Sequence, residues 1–73
     1  MTKKSINRIR VVLAEKDRAN KWLAKQVKVT PVTVSKWCSN TRQPSLETLV
    51  EIAKVLEVDI RDLLNPTLAG NEK

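Results

Sequence analysis

The sequence has no histidine, phenylalanine or tyrosine, and its 73 residues include one cysteine, one glycine and two tryptophans. Without histidine there is no imidazole base for catalysis and no histidine-ligated metal site. A single cysteine cannot form an internal disulfide, which favours a reducing compartment and predicts a cytoplasmic protein. With so few aromatic residues, a core must be built from aliphatic side chains.

A long hydrophobic run is also missing. No apolar stretch approaches the roughly 20 residues of a membrane-spanning helix, and the start MTKKSINRIR is not followed by the hydrophobic segment of a signal peptide. The sequence therefore predicts no membrane association. A chain of this length suits one domain with one core. We expect that domain over residues 1–65, with a flexible tail over residues 66–73.

Acidic residues are scarce in the first part of the chain. Residues 1–44 contain eleven Lys and Arg against two acidic residues, a net charge of +9, whereas residues 45–73 contain three against six, a net charge of −3. A surface this basic attracts polyanions. Because the cations are spread over several short segments and not along one amphipathic helix, nucleic acid is favoured over an anionic membrane.

Hydrophobic spacing divides the chain into short helices and predicts an all-α fold. Apolar residues recur every three or four positions, as on the first segment with Ile6, Ile9, Val12 and Leu13. A longer stripe follows Ser45, a good N-cap, with Leu46, Leu49, Ile52, Ala53 and Leu56. Asp59 is placed to cap a last helix. Five helices are predicted, at about 5–16, 19–27, 30–38, 45–56 and 59–64.

The stretch VTPVTVSKW at residues 29–37 is ambiguous, since its valines and threonines alternate as in a β-strand. Thr30 followed by Pro31 favours a helix, because a threonine hydroxyl caps a helix N-terminus and proline suits the first helical position. Proline inside a central strand would also remove a ladder hydrogen bond. We therefore interpret the stretch as a helix. Three residues share its predicted buried face: Val34, Trp37 and Cys38.

Two short helices joined by a tight turn describe a helix-turn-helix. Residues 7–64 resemble the Cro/repressor-type (XRE) helix-turn-helix family, whose domain has the lambda-repressor-like fold. The resemblance rests on an ordered set of elements: the Leu23-Ala24 pair, a turn, VSKW and then NTRQPSLETL. Lys28 stands where the family usually has glycine in the turn. Either this lysine adopts a left-handed backbone or the turn is reshaped.

The resemblance implies a transcriptional regulator, by analogy a repressor, that binds double-stranded DNA. The family places the second helix of the motif in the major groove, which implies base contacts by Thr30, Pro31, Val32, Thr33 and Lys36. Valine and threonine methyls suit a thymine methyl, and a lysine reaches guanine O6 and N7. Implied phosphate contacts involve the start of the preceding helix, basic side chains and the loop after the recognition helix: Asn20, Lys21, Lys28, Ser39, Thr41 and Arg42.

A homodimer is the expected assembly, and no cofactor, metal or small-molecule ligand is predicted. Val50, Val55 and Leu68 do not fit the core stripe, and with Val58 they would form a dimer face that sets two recognition helices one DNA turn apart. A rival function is an antitoxin-like protein-interaction module, favoured if Trp22, Val50 and Val55 form one exposed patch. Sequence-independent nucleic-acid binding is a second rival. An enzyme is not expected, since histidine and converging carboxylates are absent.

Overall fold

The structure, a computed structural model, describes residues 5–66 and is helical, as predicted. Within that range no strand forms, and the only β-type pairing is an isolated antiparallel bridge between Asn7 and Leu64. The fifth predicted helix is a short 3-10 helix at Ile60–Leu63. The expected tail lies outside the described residues, apart from Pro66. The four α-helices are α1 (Ile9–Glu15), α2 (Asn20–Val27), α3 (Pro31–Cys38) and α4 (Leu46–Leu56).

Helix α1 begins later than predicted, at Ile9 and not near residue 5. The N-cap residue is Arg8, and the side-chain Oδ1 of the preceding Asn7 accepts a hydrogen bond from the Ile9 backbone N–H, the first of the helix, at 3.0 Å. The preceding backbone pairs with the end of the domain, where the Asn65 N–H donates to the Ile6 carbonyl at 2.9 Å. Ile6 was expected on the buried face and is 46% exposed, because its segment is extended.

The predicted caps of the later helices are present. The hydroxyls of Thr30 and Ser45 each accept a hydrogen bond from the backbone N–H three residues further on, at 3.2 and 3.1 Å. The Asp59 carboxylate accepts one from the Arg61 N–H at 2.8 Å. This backbone hydrogen bond lowers the pKa of Asp59. The stability that it contributes is therefore present above the ordinary carboxyl pKa and is lost as the pH falls through the lowered value.

The core is aliphatic with a single tryptophan, Trp37, and α2 packs against α3 within it. Leu46 was placed on the apolar stripe of α4 and is instead 75% exposed. It is the first residue of α4, and the buried face of that helix begins only at Leu49. The buried apolar residues are Ile9, Val12, Leu13, Leu23, Ala24, Val27, Val34, Trp37, Leu49, Ile52, Ala53, Leu56 and Leu63.

Several turns between elements use a left-handed backbone at residues other than glycine. Asp17, Lys28, Asn40 and Glu57 have φ values of 58°, 60°, 61° and 59°. Lys28 ends α2 in this conformation, so the turn keeps the geometry that glycine usually provides. For most residues with a Cβ atom this region costs roughly 1 kcal/mol, asparagine and aspartate tolerate it better, and glycine enters it freely.

Glycine at position 57 is expected to stabilise the domain. Glu57 is exposed and ends α4 with a φ of 59°. We expect Glu57→Gly to raise the free energy of unfolding by about 0.5–1 kcal/mol relative to Glu57→Ala, which removes the same carboxylate and keeps the Cβ atom. Urea unfolding of the two variants measures the difference. Equal midpoints would mean that the left-handed turn carries no steric cost.

Candidate nucleic-acid interface

The start of α2 and the first turns of α3 together form one open depression on the surface. Its apolar part is made by Ala19, Pro31 and Val32, and the side chain of Val32 is exposed, at 63%. Asn20 and Lys21 stand beside these groups in the same depression. Two predicted base-reading residues and two predicted phosphate-binding residues therefore lie together.

A second, smaller depression joins the first, because both are lined by Asn20 and Ser35. Its other lining residues include Arg10 from α1 and Ser39 after α3. The predicted phosphate-binding residues Asn20 and Ser39 are thus brought together across two helices. Arg10 was missed by the sequence reasoning. In the sequence, only the positive charge of Arg10 suggested a contact with DNA, because this residue belongs to α1, which lies outside the two-helix motif.

The side chain of Asn20 is oriented by a cysteine. The Cys38 thiol donates a hydrogen bond to Asn20 Oδ1 across 3.6 Å. Burial raises the pKa of this thiol, and the nearby Arg10 charge acts in the opposite direction. The thiol therefore stays protonated near neutral pH and acts as a donor. Because Oδ1 is occupied, the Asn20 Nδ2 group is the part of the amide left to donate to an anion.

Hydroxyl groups at the two ends of α3 mostly bond to the protein itself. The Thr30 and Thr33 hydroxyls lie 3.0 Å apart, and Thr30 also caps the helix. At the other end, the Ser39 hydroxyl donates to the Lys36 carbonyl at 3.2 Å and lies 2.8 Å from the Thr41 hydroxyl. These groups shape the helix ends. DNA contacts by Thr30, Thr33, Ser39 and Thr41 therefore stay predictions.

Most basic side chains of the first half are not neutralised by neighbouring carboxylates. The ion pairs within residues 5–66 join Arg8 to Glu15 at 4.0 Å and Arg61 to Asp59 at 3.1 Å. Neither pair involves a predicted contact residue. The exposed cations without a carboxylate partner in this range include Arg10, Lys21, Lys36 and Arg42.

Lys28 is separated from the two joined depressions. It lines a different depression between the end of α2 and α4, together with Glu51 and Lys54. The structure does not bring Lys28 together with the other predicted contact residues, and its phosphate contact stays a prediction.

The loop that follows α3 is fixed by a cluster of amide side chains. Asn40 Oδ1 accepts hydrogen bonds from the backbone N–H groups of Ile6 and Asn7, at 2.8 and 2.9 Å, and from Gln43 Nε2 at 3.0 Å. Asn7 is only 3% exposed, and its Nδ2 donates to the Trp37 carbonyl at 2.9 Å and to Gln43 Oε1 at 2.7 Å. The N-terminal segment thereby holds the loop that carries Thr41 and Arg42.

Two residues of the rival interaction patch share a small depression. Trp22 and Val55 both line it, both are half-buried, and the Arg18 guanidinium stacks over the Trp22 ring at 4.4 Å. Val50 is 45% exposed and is not among its lining residues. The three residues therefore do not line one common depression.

Three of the four residues of the predicted dimer face lie in the part of the chain that the structure describes. Val55 and Val58 are partly buried and pack against the core, whereas Val50 is exposed. Leu68 lies outside the described residues. The dimer face stays a prediction. In residues 5–66, no three His, Cys, Asp or Glu side chains are grouped as metal ligands, and no helix there is long and apolar enough to cross a bilayer.

Known families and structures resemble the chain over most of its length. The helix-turn-helix family model matches residues 12–63. A crystal structure of a Bacteroides fragilis protein, described as DNA-binding, has 57% sequence identity and a TM-score of 0.81, covering 82% of this chain and 97% of that one. The clp gene regulator ClgR from C. glutamicum shares the fold at 24% identity and a TM-score of 0.70, covering 75% and 71% of the two chains. No curated protein matches.

Proposed function

The chain belongs to the XRE-type helix-turn-helix family, and we propose that it represses transcription by reading a specific double-stranded DNA site with α3 in the major groove. Its family and its 57%-identical structural neighbour support DNA binding and transcriptional regulation. Repression and the major-groove placement of α3 are our proposals. We also propose that it acts in the cytoplasm as a homodimer, so that two copies of α3 face successive turns of the duplex.

The observation that carries the proposal is the continuous surface formed by the two joined depressions. It runs from Val32 on α3, past Asn20, to Ser39 and Arg10. An exposed apolar side chain at one end suits a base edge, and amide and guanidinium donors at the other suit phosphates. Exposed cations without carboxylate partners add attraction for the DNA backbone.

Lys36 is expected to carry part of the base specificity. It is exposed on α3 and has no carboxylate partner within residues 5–66. In a selection of bound sequences from random duplex DNA, we expect the wild type to enrich a palindrome. We expect Lys36→Ala to relax the preference at one guanine position per half-site and to weaken binding to the enriched site about tenfold.

Lys54→Ala on α4 is the matched control, since it removes the same charge and side-chain length from an exposed position outside the two depressions. It is expected to enrich the wild-type palindrome. Binding to duplex DNA without any enriched sequence would overturn site-specific repression and would leave an electrostatic or protein-directed role. An enriched but non-palindromic site would contradict the homodimer alone.

A further inference from the structure

We propose that Asn40 sets the affinity of the chain for DNA by positioning the loop after α3, residues 39–43, which carries Arg42. The inference rests on the proposed function, because it concerns the phosphate contact predicted for Arg42. Asn40 is neutral and half-buried, whereas Arg42 is exposed and has no carboxylate partner within residues 5–66. In this role Asn40 is a positioning residue, which acts on the DNA backbone through the arginine.

The hydrogen-bonding groups of the Asn40 side chain are turned towards the protein. Its Oδ1 accepts hydrogen bonds from the Ile6 and Asn7 backbone N–H groups and from Gln43 Nε2, at 2.8, 2.9 and 3.0 Å. Its Nδ2 donates to the Asn7 carbonyl at 3.1 Å and to the Ser5 hydroxyl at 3.5 Å. A carboxylate could accept the first set of bonds but could not donate to a carbonyl. With these groups occupied, the amide holds the loop against the N-terminal segment.

The loop is also tied to the last turn of α3. The Lys36 carbonyl accepts the backbone N–H groups of Thr41 and Arg42, at 3.0 and 3.2 Å, and the Asn40 N–H donates to the Trp37 carbonyl at 3.0 Å. A left-handed residue after a helix directs the following N–H groups back to the carbonyls of its last turn, and Asn40 has a φ of 61°. The loop is therefore held between the recognition helix and the N-terminal segment.

The N-terminal segment is itself fixed to the end of the domain. The Arg8 N–H donates to the Leu63 carbonyl at 2.8 Å, and the Asn65 N–H donates to the Ile6 carbonyl at 2.9 Å. The loop is therefore ordered before any DNA is bound, so that fewer conformations are lost when a phosphate is contacted. Without this tether, the ordering of Arg42 on the duplex would oppose binding.

The test compares the wild type, Asn40→Gly, Arg42→Gln and the double variant in titrations of a duplex that carries the enriched site, at several salt concentrations. Glycine keeps the left-handed backbone and removes the tether. We expect Asn40→Gly to weaken binding about sevenfold near 0.1 M salt and to reduce the slope of log K against log salt by about 0.9, as for one lost phosphate contact. The double variant should match Arg42→Gln, because the arginine that Asn40 positions is already absent.

Asn65→Gly is the matched control. Asn65 is also a half-buried amide tied to the N-terminal segment, since its Nδ2 donates to the Ser5 carbonyl at 2.9 Å, and within the described chain its side chain makes no hydrogen bond to the loop. It is expected to keep the wild-type slope. Gln43→Ala is a second variant that loosens the loop from an exposed position. We expect it to weaken binding about twofold, and it provides the test if Asn40→Gly does not fold.

A neutral residue with a purely structural role would lower the free energy of unfolding and leave the salt slope unchanged. An unchanged slope for Asn40→Gly, with a reduced slope for Arg42→Gln, would overturn the inference and leave DNA binding intact. Additive losses in the double variant, an equal loss for Asn65→Gly, or no effect of Arg42→Gln would each overturn it as well. A wild type that binds no duplex DNA would instead contradict the proposed function itself.

Discussion

Replacing Asn7 with alanine is expected to lower the free energy of unfolding by about 3 kcal/mol, because three hydrogen bonds of a buried amide are lost together. Asn7 is 3% exposed. It donates to the Trp37 carbonyl and to Gln43, and it accepts the Ile9 N–H. A loss of this size is a large part of the stability of a small domain. Chemical denaturation followed by tryptophan fluorescence measures it.

The effect of Asn7→Asp should depend on pH, since aspartate keeps the size of the side chain and replaces its donor. The Trp37 carbonyl oxygen would repel an ionised carboxylate at this position, and burial also disfavours the charged form. Both effects raise the pKa of the introduced carboxyl group above its unfolded value of about 3.9. When the pKa of a group is higher in the folded state than in the unfolded state, its contribution to stability is complete below the unfolded-state pKa. That contribution is lost as the pH rises through the folded-state pKa. The stability gap to wild type should therefore narrow on acidification.

Asn20→Ala is the matched control for Asn7→Ala. Asn20 is half-buried, and within the described chain its side chain makes one hydrogen bond, from the Cys38 thiol. We expect a loss of less than about 1 kcal/mol for this substitution. Equal losses for the two alanine variants would show that the Asn7 cluster contributes little beyond any single polar contact.

Replacing Lys21 and Arg42 together with glutamine is expected to weaken binding to duplex DNA on the order of 50-fold near 0.1 M salt. Both cations are exposed, and neither has a carboxylate partner within residues 5–66. Each phosphate contact releases about 0.9 counterions, so two lost contacts should reduce the slope of log K against log salt by about 1.8. Titrations at several salt concentrations measure both quantities.

The pair Lys54→Gln with Arg61→Gln is the matched control, because it removes one lysine and one arginine from the acidic half of the chain. Its slope should stay within about 0.5 of the wild-type value if neither residue contacts phosphate. A slope change equal to that of the first pair would indicate that net charge, and not a basic face, determines affinity. The base preference should survive in both variants, because phosphate contacts carry no direct sequence information.

Much of the fold could be predicted because its signals are local. Thr30 followed by Pro31 was enough to prefer a helix over a strand for the valine-rich stretch, and the structure confirms α3 from Pro31 with the Thr30 cap in place. The caps at Ser45 and Asp59 are confirmed for the same reason. An N-cap depends on a hydroxyl or carboxylate and on the next few residues, so it can be identified from a short window of sequence.

The start of α1 could not be predicted, because it depends on residues far away in the chain. The spacing of Ile6 and Ile9 is helical, and nothing local shows that Asn7 bonds to Trp37 or that the Ile6 backbone pairs with Asn65. Hydrophobic periodicity indicates which residues share one face of a helix. It contains no information on a polar side chain whose partners lie 30 or more positions away.

The grouping of the candidate site residues on the surface could be predicted in part, and their contacts with DNA stay predictions. Asn20, Lys21, Pro31 and Val32 lie in one depression as their positions in the motif implied. Arg10 was missed because α1 lies outside the two-helix motif, and a motif assigns roles only within its own length. The side chain of Lys28 faces another depression, which the spacing of positive charges along the chain does not reveal.

The left-handed turns at Asp17, Lys28, Asn40 and Glu57 also affect the lifetime of the protein in the cell. In cells, proteases act on the small unfolded fraction, and a change of about 1 kcal/mol alters that fraction roughly fivefold. We expect the chain to be turned over faster than a counterpart with glycine at Asp17, Lys28 and Glu57, whereas glycine at position 40 would remove the hydrogen bonds of the Asn40 side chain. Faster turnover shortens the time for which a DNA site stays occupied once synthesis stops. These turns therefore influence the timing of a response as well as the shape of the domain.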